Sequence, residues 1–183
     1  ALREAPADRS EAIAGRVSQL VATAHRQIRS VLDDLRPALL DEFGLAAALD
    51  NEMQQHRPVD GVPDLKLVAA PRLQVQRWPT QVEYAAFMVA REALLNALHH
   101  ARARQITLTV DGDEGELLMT VSDDGIGVPP ASQAGRAGHL GLVGMRERAL
   151  AIGATLGLDS EPGRGTIIKL TWTMDDESAL PDR

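Results

Sequence analysis

"VSDDGIGVPP", residues 121–130, closes an alternating apolar run with two acids, two glycines and two prolines. An Asp-Gly pair in that place is a common hairpin signal, so a plain turn explains it as well as a binding site does. The neighbouring segments decide between the two. "RQITLTVDGDEGELLMTVSDDG" (104–125) reads as two strands with period-two alternation around a Gly-rich turn. Upstream, residues 79–101 carry the strongest helical pattern of the chain, and within it lies "REALLNALHHAR" (91–102).

At 100° per residue, Glu92, Asn96 and His99 of that helix fall within about 60° of one another. Ala90, Ala93, Leu94, Ala97 and Leu98 fill much of the remainder. A solvated face is the plain alternative, although such faces are usually rich in Lys and Glu. A narrow polar stripe on an apolar helix otherwise needs partners, because buried polar groups must be satisfied. A Glu and an Asn one turn apart offer the oxygens that suit Mg²⁺, which takes few protein ligands and keeps several waters.

The glycines fall in three clusters, each beside a strand end or a helix start: Gly125 and Gly127, then Gly138, Gly141 and Gly144, then Gly163 and Gly165. "GHLGLVGMRERA" (138–149) sets Gly138 and Gly141 just before a helix, where free N–H groups and the helix dipole favour phosphate. It is not a Walker loop, since no "GK[ST]" follows spaced glycines.

The remaining elements follow in order. Residues 10–36 read as one long amphipathic helix, with Ile13, Val17, Leu20, Ala24, Ile28, Val31 and Leu35 on one stripe and Pro37 ending it. Phe43-Gly44 breaks the next pattern, and a second helix runs from about Leu45 to Gln55. A short strand is predicted at 64–69, a loop at 128–139, a helix at about 141–152, and strands at "TLGLDS" (155–160) and "GTIIKLTW" (165–172). This order predicts an α/β two-layer sandwich with a mixed, largely antiparallel sheet on helices, preceded by a long helix.

Composition narrows the function classes. Apolar residues make up 44% of the 183 and aromatics 3%, so the core is aliphatic. The absence of cysteine rules out a disulfide framework and a thiolate metal site, and fits a reducing, cytoplasmic compartment. A net charge of −7 argues against direct nucleic-acid binding, which needs a basic face. No apolar run approaches the ~20 residues of a membrane-spanning helix, so no membrane contact by these residues is expected.

In order and spacing, "REALLNALHHA" (91–101), "VSDDGIG" (121–127), "GLVGMRERA" (141–149) and "PGRGT" (162–166) resemble the asparagine box and the three glycine boxes of the sensor histidine kinase ATP-binding domain. This is the Bergerat fold, shared with gyrase B, Hsp90 and MutL. "LRPALLDEFGLAAAL" (35–49) and "GMRER" (144–148) resemble more narrowly the kinases whose response regulators carry a helix-turn-helix output domain. The resemblance covers roughly residues 10–173.

The resemblance implies an ATP·Mg²⁺ site. Asp123 would accept a hydrogen bond from the adenine amine, and Gly125 and Gly127 would let the backbone pass close to the base. Asp124 would shape the turn. Asn96 would ligate Mg²⁺, with Glu92 beside it ordering the metal's waters or orienting attack. The segment from Val128 to Leu140 would cover the nucleotide, with Gly138, Leu140, Gly141 and Leu142 near the phosphates, and Thr166 would support the adenine pocket. His99 stands where the subfamily usually has Lys or Arg, so a phosphate contact there would vary with pH. His100 matches the family's His-Ala pair.

On the same basis, residues 1–40 would belong to a dimerisation and phosphotransfer region, 41–174 to the catalytic domain and 175–183 to a tail. The phospho-acceptor His is missing: His25 is followed by Arg26 where the family has an acid, and it lies on the wrong helix. The implied partners are a response regulator and a second copy, through the N-terminal helix bundle, of a parent protein that membrane anchoring would not contradict. Two other readings stay open: a serine kinase of the anti-sigma-factor type, and a non-catalytic helix-pairing scaffold with the same fold.

Overall fold

The computed structural model describes residues 38–128 and 140–174, which lie in one unit beginning at Pro37. The predicted helix over 10–36, the segment 129–139 with Gly138, and the tail from 175 lie outside the described residues. In chain order the elements are helix α1 (Ala38–Gln55), strand β1 (Asp64–Ala69), a 3₁₀ turn (Pro71–Gln74), helix α2 (Thr80–Asn96) running into a π turn (Ala97–Ala101), strands β2 (Gln105–Gly112) and β3 (Glu116–Asp123), helix α3 (Leu140–Ala151), and strands β4 (Thr155–Ser160) and β5 (Thr166–Thr173). The break read at Phe43-Gly44 is a kink inside α1, where Gly44 has φ +81° and ψ −177°. The 3₁₀ turn was not legible in the sequence.

The sheet has the order β1-β2-β3-β5-β4, with β1 parallel to β2 and the other three pairings antiparallel. Alternation in each strand assigns one face to the helices, and the register lines up these inward residues in rows. One row runs Ala69, Val110, Met119, Leu170, Leu156; the next runs Leu67, Leu108, Val121, Ile168, Leu158. Both are apolar throughout and pack with α1, α2 and α3 into a single core, largely aliphatic as expected but including Trp78, Phe87 and Trp172, in which Leu45, Leu49, Ala86, Val89 and Leu94 are at most 1% exposed.

The third row reads Leu65, Ile106, Asp123, Thr166, Ser160. Leu65 and Ile106 are buried, and then the row turns polar across three strands. A core-facing row should stay apolar. The change marks the place where the sheet and the helices stop meeting.

Candidate functional site

A cavity of about 430 Å³ opens there, between the ends of β3, β4 and β5, the C-terminal part of α2 with its π turn, and the start of α3. Ala93, Ala97, Val121, Met145, Leu158 and Ile168 give it apolar walls, and Asn96, His100, Asp123 and Thr166 supply the polar groups. A mostly apolar concavity with a few convergent polar groups is the usual form of a small-molecule site.

The Asp123 carboxylate is partly buried, and its Oδ1 accepts the Gly125 N–H at 2.9 Å. Burial pushes its pKa up from the usual carboxylate value, while hydrogen bonds from Gly125 and from the backbone and hydroxyl of Thr166 pull the other way. Asp124 does a different job. Its exposed side chain points back to the start of β2, where Oδ1 accepts the N–H groups of Arg104 (2.7 Å) and Gln105 (2.9 Å). Those two bonds hold its carboxyl below the usual range. Of the two acids of "SDDG", Asp124 fastens the turn and Asp123 lines the cavity.

Gly125 is buried, and its close approach is to the protein itself. A Cβ at this position would meet the Ala101 carbonyl oxygen at 2.2 Å, next to the bond that the Ile126 N–H donates to that oxygen at 2.8 Å. Glycine is required here to seat the end of β3 against the π turn, and Gly125 does not line the cavity, whereas Gly127 does.

The polar stripe of α2 is shifted from the α-helical reading. Asn96 Nδ2 donates to Glu92 Oε1 at 3.3 Å, one turn apart as the spacing implies. Beyond Asn96 the helix widens into the π turn, with i→i+5 bonding in place of i→i+4. The extra residue in the turn carries His99 off the stripe and brings His100 onto the cavity wall instead; both rings are exposed and stand edge to face at 6.1 Å. The expected phosphate contact of His99 therefore has no counterpart on this wall. Arg102, in the left-handed conformation at φ 52°, ends the turn.

Gly141 sits directly against the carboxylate-amide pair. A Cβ there would lie 2.2 Å from Glu92 Oε1 and 3.2 Å from Asn96 Nδ2. The first turn of α3, with the N–H groups that a helix start leaves unpaired, thus abuts the pair. Gly141 and Leu142 line the cavity; Glu92 lies behind Asn96 without lining it. Leu140 opens α3 by its backbone.

The donor set fits a nucleotide with a hard cation. With Nδ2 bound to Glu92, Asn96 Oδ1 is the atom that would meet a metal, and oxygen ligands suit Mg²⁺. Among the described residues no three His, Cys, Asp or Glu side chains cluster as a cation cage. A cation here would need oxygens brought by its ligand, as Mg²⁺ does with phosphates.

Sequence reading missed one polar member of the site. Ser160 ends the row beyond Thr166. Its Oγ accepts the Val128 N–H at 2.8 Å, donates to the Gly165 carbonyl at 2.9 Å and lies 3.0 Å from Thr166 Oγ1. The available signal was a serine continuing the inward face of Leu156 and Leu158.

Residues 81–176 match the family model for histidine kinase-, DNA gyrase B- and HSP90-like ATPases. Over 169 residues the chain is 31% identical to the oxygen sensor histidine kinase NreB of Staphylococcus carnosus, covering 92% of this chain and 46% of that protein. Among solved structures, the histidine kinase domain of the Erythrobacter litoralis EL346 blue-light activated histidine kinase is similar at 27% identity and a TM-score of 0.59, over 76% of this chain and 66% of that one. The Acinetobacter baumannii histidine kinase AdeS shares the fold at a TM-score of 0.55 and 14% identity, over 87% and 84% of the two chains. The chain thus spans about half the length of the curated relative it matches.

Proposed function

The chain belongs to the histidine kinase-, DNA gyrase B- and HSP90-like ATPase family, as the ATP-binding domain of a sensor histidine kinase, and on that basis we propose that its cavity binds ATP with Mg²⁺ for phosphoryl transfer to a His outside these residues. The observation that carries the reading is one cavity lined both by a partly buried acid, Asp123, and by Asn96, whose amide is bonded to Glu92 against the start of α3.

Asp123 would accept from the adenine amine, with Thr166 bonded beside it and Gly127 as part of the wall. Asn96 would meet the metal through Oδ1. Glu92, held 3.3 Å from Asn96, would fix that amide and orient the metal's waters or the attacking group. The α3 start, with Gly141 and Leu142, would receive the phosphates along with Leu140 and Gly138, and His100 would complete the wall. Bound Mg²⁺ supplies charge neutralisation on the phosphates. Phosphoryl transfer needs mainly positioning and charge stabilisation, so no residue here acts as a covalent nucleophile.

The wider reading is that the phosphoryl group passes to a response regulator Asp, with a helix-turn-helix output domain on that regulator. Residues 1–40 would form part of a homodimerising phosphotransfer region, 41–174 the cytoplasmic catalytic domain and 175–183 a tail. Among the described residues no helix is long and apolar enough to cross a membrane. No observation favours the serine-kinase or the scaffold reading.

Calorimetric titration of ATP with and without Mg²⁺ tests this. Asp123→Ala should weaken binding about ten- to a hundredfold, the equivalent of about 1.5–3 kcal/mol for a hydrogen bond to a charged group. Asn96→Ala should weaken it chiefly when Mg²⁺ is present. A loss below about threefold in the first variant, or equal weakening in EDTA in the second, removes the corresponding role.

A further inference from the structure

We propose that Ser160 is a positioning residue of the nucleotide site, fixing the Thr166 hydroxyl and the Val128 backbone through one oxygen. The proposal rests on the ATP reading above and extends it to a residue outside the cavity lining.

The geometry is a lateral chain across three strands. Asp123, Thr166 and Ser160 are cross-strand neighbours on β3, β5 and β4, all on the helix-facing side. Thr166 bonds to Asp123 on one side, and its Oγ1 lies 3.0 Å from Ser160 Oγ on the other. A threonine hydroxyl rotates freely unless a partner fixes it, and its one proton can serve only one acceptor. The Thr166 proton goes to Asp123, so toward Ser160 the Thr166 hydroxyl is an acceptor. The Ser160 proton lies between the Gly165 carbonyl at 2.9 Å and Thr166 Oγ1 at 3.0 Å, while the Ser160 oxygen accepts the Val128 N–H. The direction of the chain is thereby set: the Val128 N–H donates to Ser160, Ser160 to Gly165 and Thr166, and Thr166 to Asp123.

Three of the groups so tied, Asp123, Thr166 and Val128, line the cavity, while Ser160 stands behind them. The same oxygen fastens the strand that follows the β4–β5 turn and the segment that leaves β3. No apolar residue of similar size can do this. An alanine would leave the Val128 N–H without this acceptor and the Thr166 hydroxyl without the neighbour that turns its proton toward Asp123. The proposal therefore places the effect of Ser160 on the half of the ligand that meets Asp123 and Thr166, with the metal side unaffected.

The experiment titrates ADP into the chain in EDTA, which leaves metal coordination out, with thermal unfolding recorded for each variant. Ser160→Ala should weaken ADP binding about three- to tenfold, and by the same factor when Mg²⁺ is restored. Ser160→Thr, which keeps the hydroxyl, should bind within about twofold of the wild type. Ser160→Ala combined with Thr166→Val should bind about as weakly as the weaker single variant, because both act through one chain of bonds. Where Ser160→Ala does not fold, the nearly isosteric Ser160→Cys carries the same test. Binding by the alanine or cysteine variant within twofold of wild type overturns the assignment, as does full multiplication of the two single losses or a threonine variant as weak as alanine. Absence of ADP binding by the wild-type chain overturns the nucleotide reading itself, and this assignment with it.

Discussion

Arg77 holds the fully buried carboxylate of Glu83 with two parallel bonds, Nε to Oε1 and Nη2 to Oε2, each 2.9 Å long. The Trp78 N–H adds a third bond to Oε1 at 3.0 Å, and the guanidinium also reaches the carbonyls of Leu40 and Asp41 at 3.3 Å. One side chain therefore ties the kinked start of α1 to the first turn of α2. Its hydrogen bond to the Glu83 carboxylate raises the pKa of Arg77 further, so the guanidinium stays charged.

Removing the arginine strands a buried charge, which is the costly way to break such a pair. Arg77→Ala should lower stability by about 2–4 kcal/mol, toward the lower end because the arginine side chain is itself 46% exposed. Glu83→Gln should cost less, since it keeps an acceptor for the Trp78 N–H and leaves no buried anion. Urea unfolding of the two variants checks the order; equal losses would contradict it.

The elements and the fold are legible because burial alternates along the strands and most breaks carry Gly or Pro; the step from the π turn into β2, at residues 102–104, carries neither. Which residues face inward follows from period two, while the rows, such as Val121 beside Ile168, are set by the strand pairing of the folded chain. The site was legible in part. Asp123 and Asn96 stand out as polar residues on apolar faces. The π turn leaves no trace in the sequence, because five residues are too few to show a change of period, so the α-helical period puts His99 on the stripe while His100 is the one on the wall. The requirement for Gly125 was read as closeness to a ligand, while its neighbour is Ala101, which only the folded chain brings near. Arg77 and Ser160 escaped for the same reason: their partners are set by tertiary contact.

Two glycines should respond differently to alanine. At Gly125 the added Cβ meets a backbone carbonyl at 2.2 Å, which cannot move without shifting the end of α2. At Gly141 it meets the tip of Glu92, a side chain that can swing away. Gly125→Ala should therefore lose about 1–3 kcal/mol of stability, the usual range for overpacking. Gly141→Ala should unfold within about 1 kcal/mol of wild type while losing the Mg²⁺-dependent part of ATP affinity. Denaturation curves beside titrations with and without Mg²⁺ separate the two; a Gly141→Ala chain with intact metal dependence would contradict the role given to the Glu92–Asn96 pair.

Asp124 predicts a pH dependence of stability. Its carboxyl is held below the usual value by the Arg104 and Gln105 N–H groups, so the folded state favours the ionised form. A depressed folded-state pKa contributes stability that is present above the unfolded value, about 3.9, and is lost as pH falls through the folded one. Asp124→Ala should thus destabilise the chain at pH 7, and the gap from wild type should narrow as the pH falls below about 4. Urea midpoints across that range measure it. A gap that stays constant would mean that the two backbone bonds do not depend on the charge.

Asp123 predicts the opposite displacement, read on binding. Burial raises its pKa, so the carboxylate takes up a proton at a higher pH than an exposed aspartate does. For stability the sign is also reversed: its favourable share is present below the unfolded pKa and lost as pH rises through the folded one. For the ligand, protonation removes the acceptor that the adenine amine requires. Adenosine is the suitable probe, because it carries no phosphate that titrates, provided the affinity is read above the pH range in which its own N1 takes up a proton. Its affinity should fall on acidification with a midpoint above the exposed-aspartate value of about 3.9. Asp123→Asn should remove this acid limb, since its amide does not titrate. NMR titration of adenosine at a series of pH values gives both curves. An acid limb that survives in Asp123→Asn above the range of adenosine's own N1 protonation would assign it to another group and take the adenine contact away from Asp123.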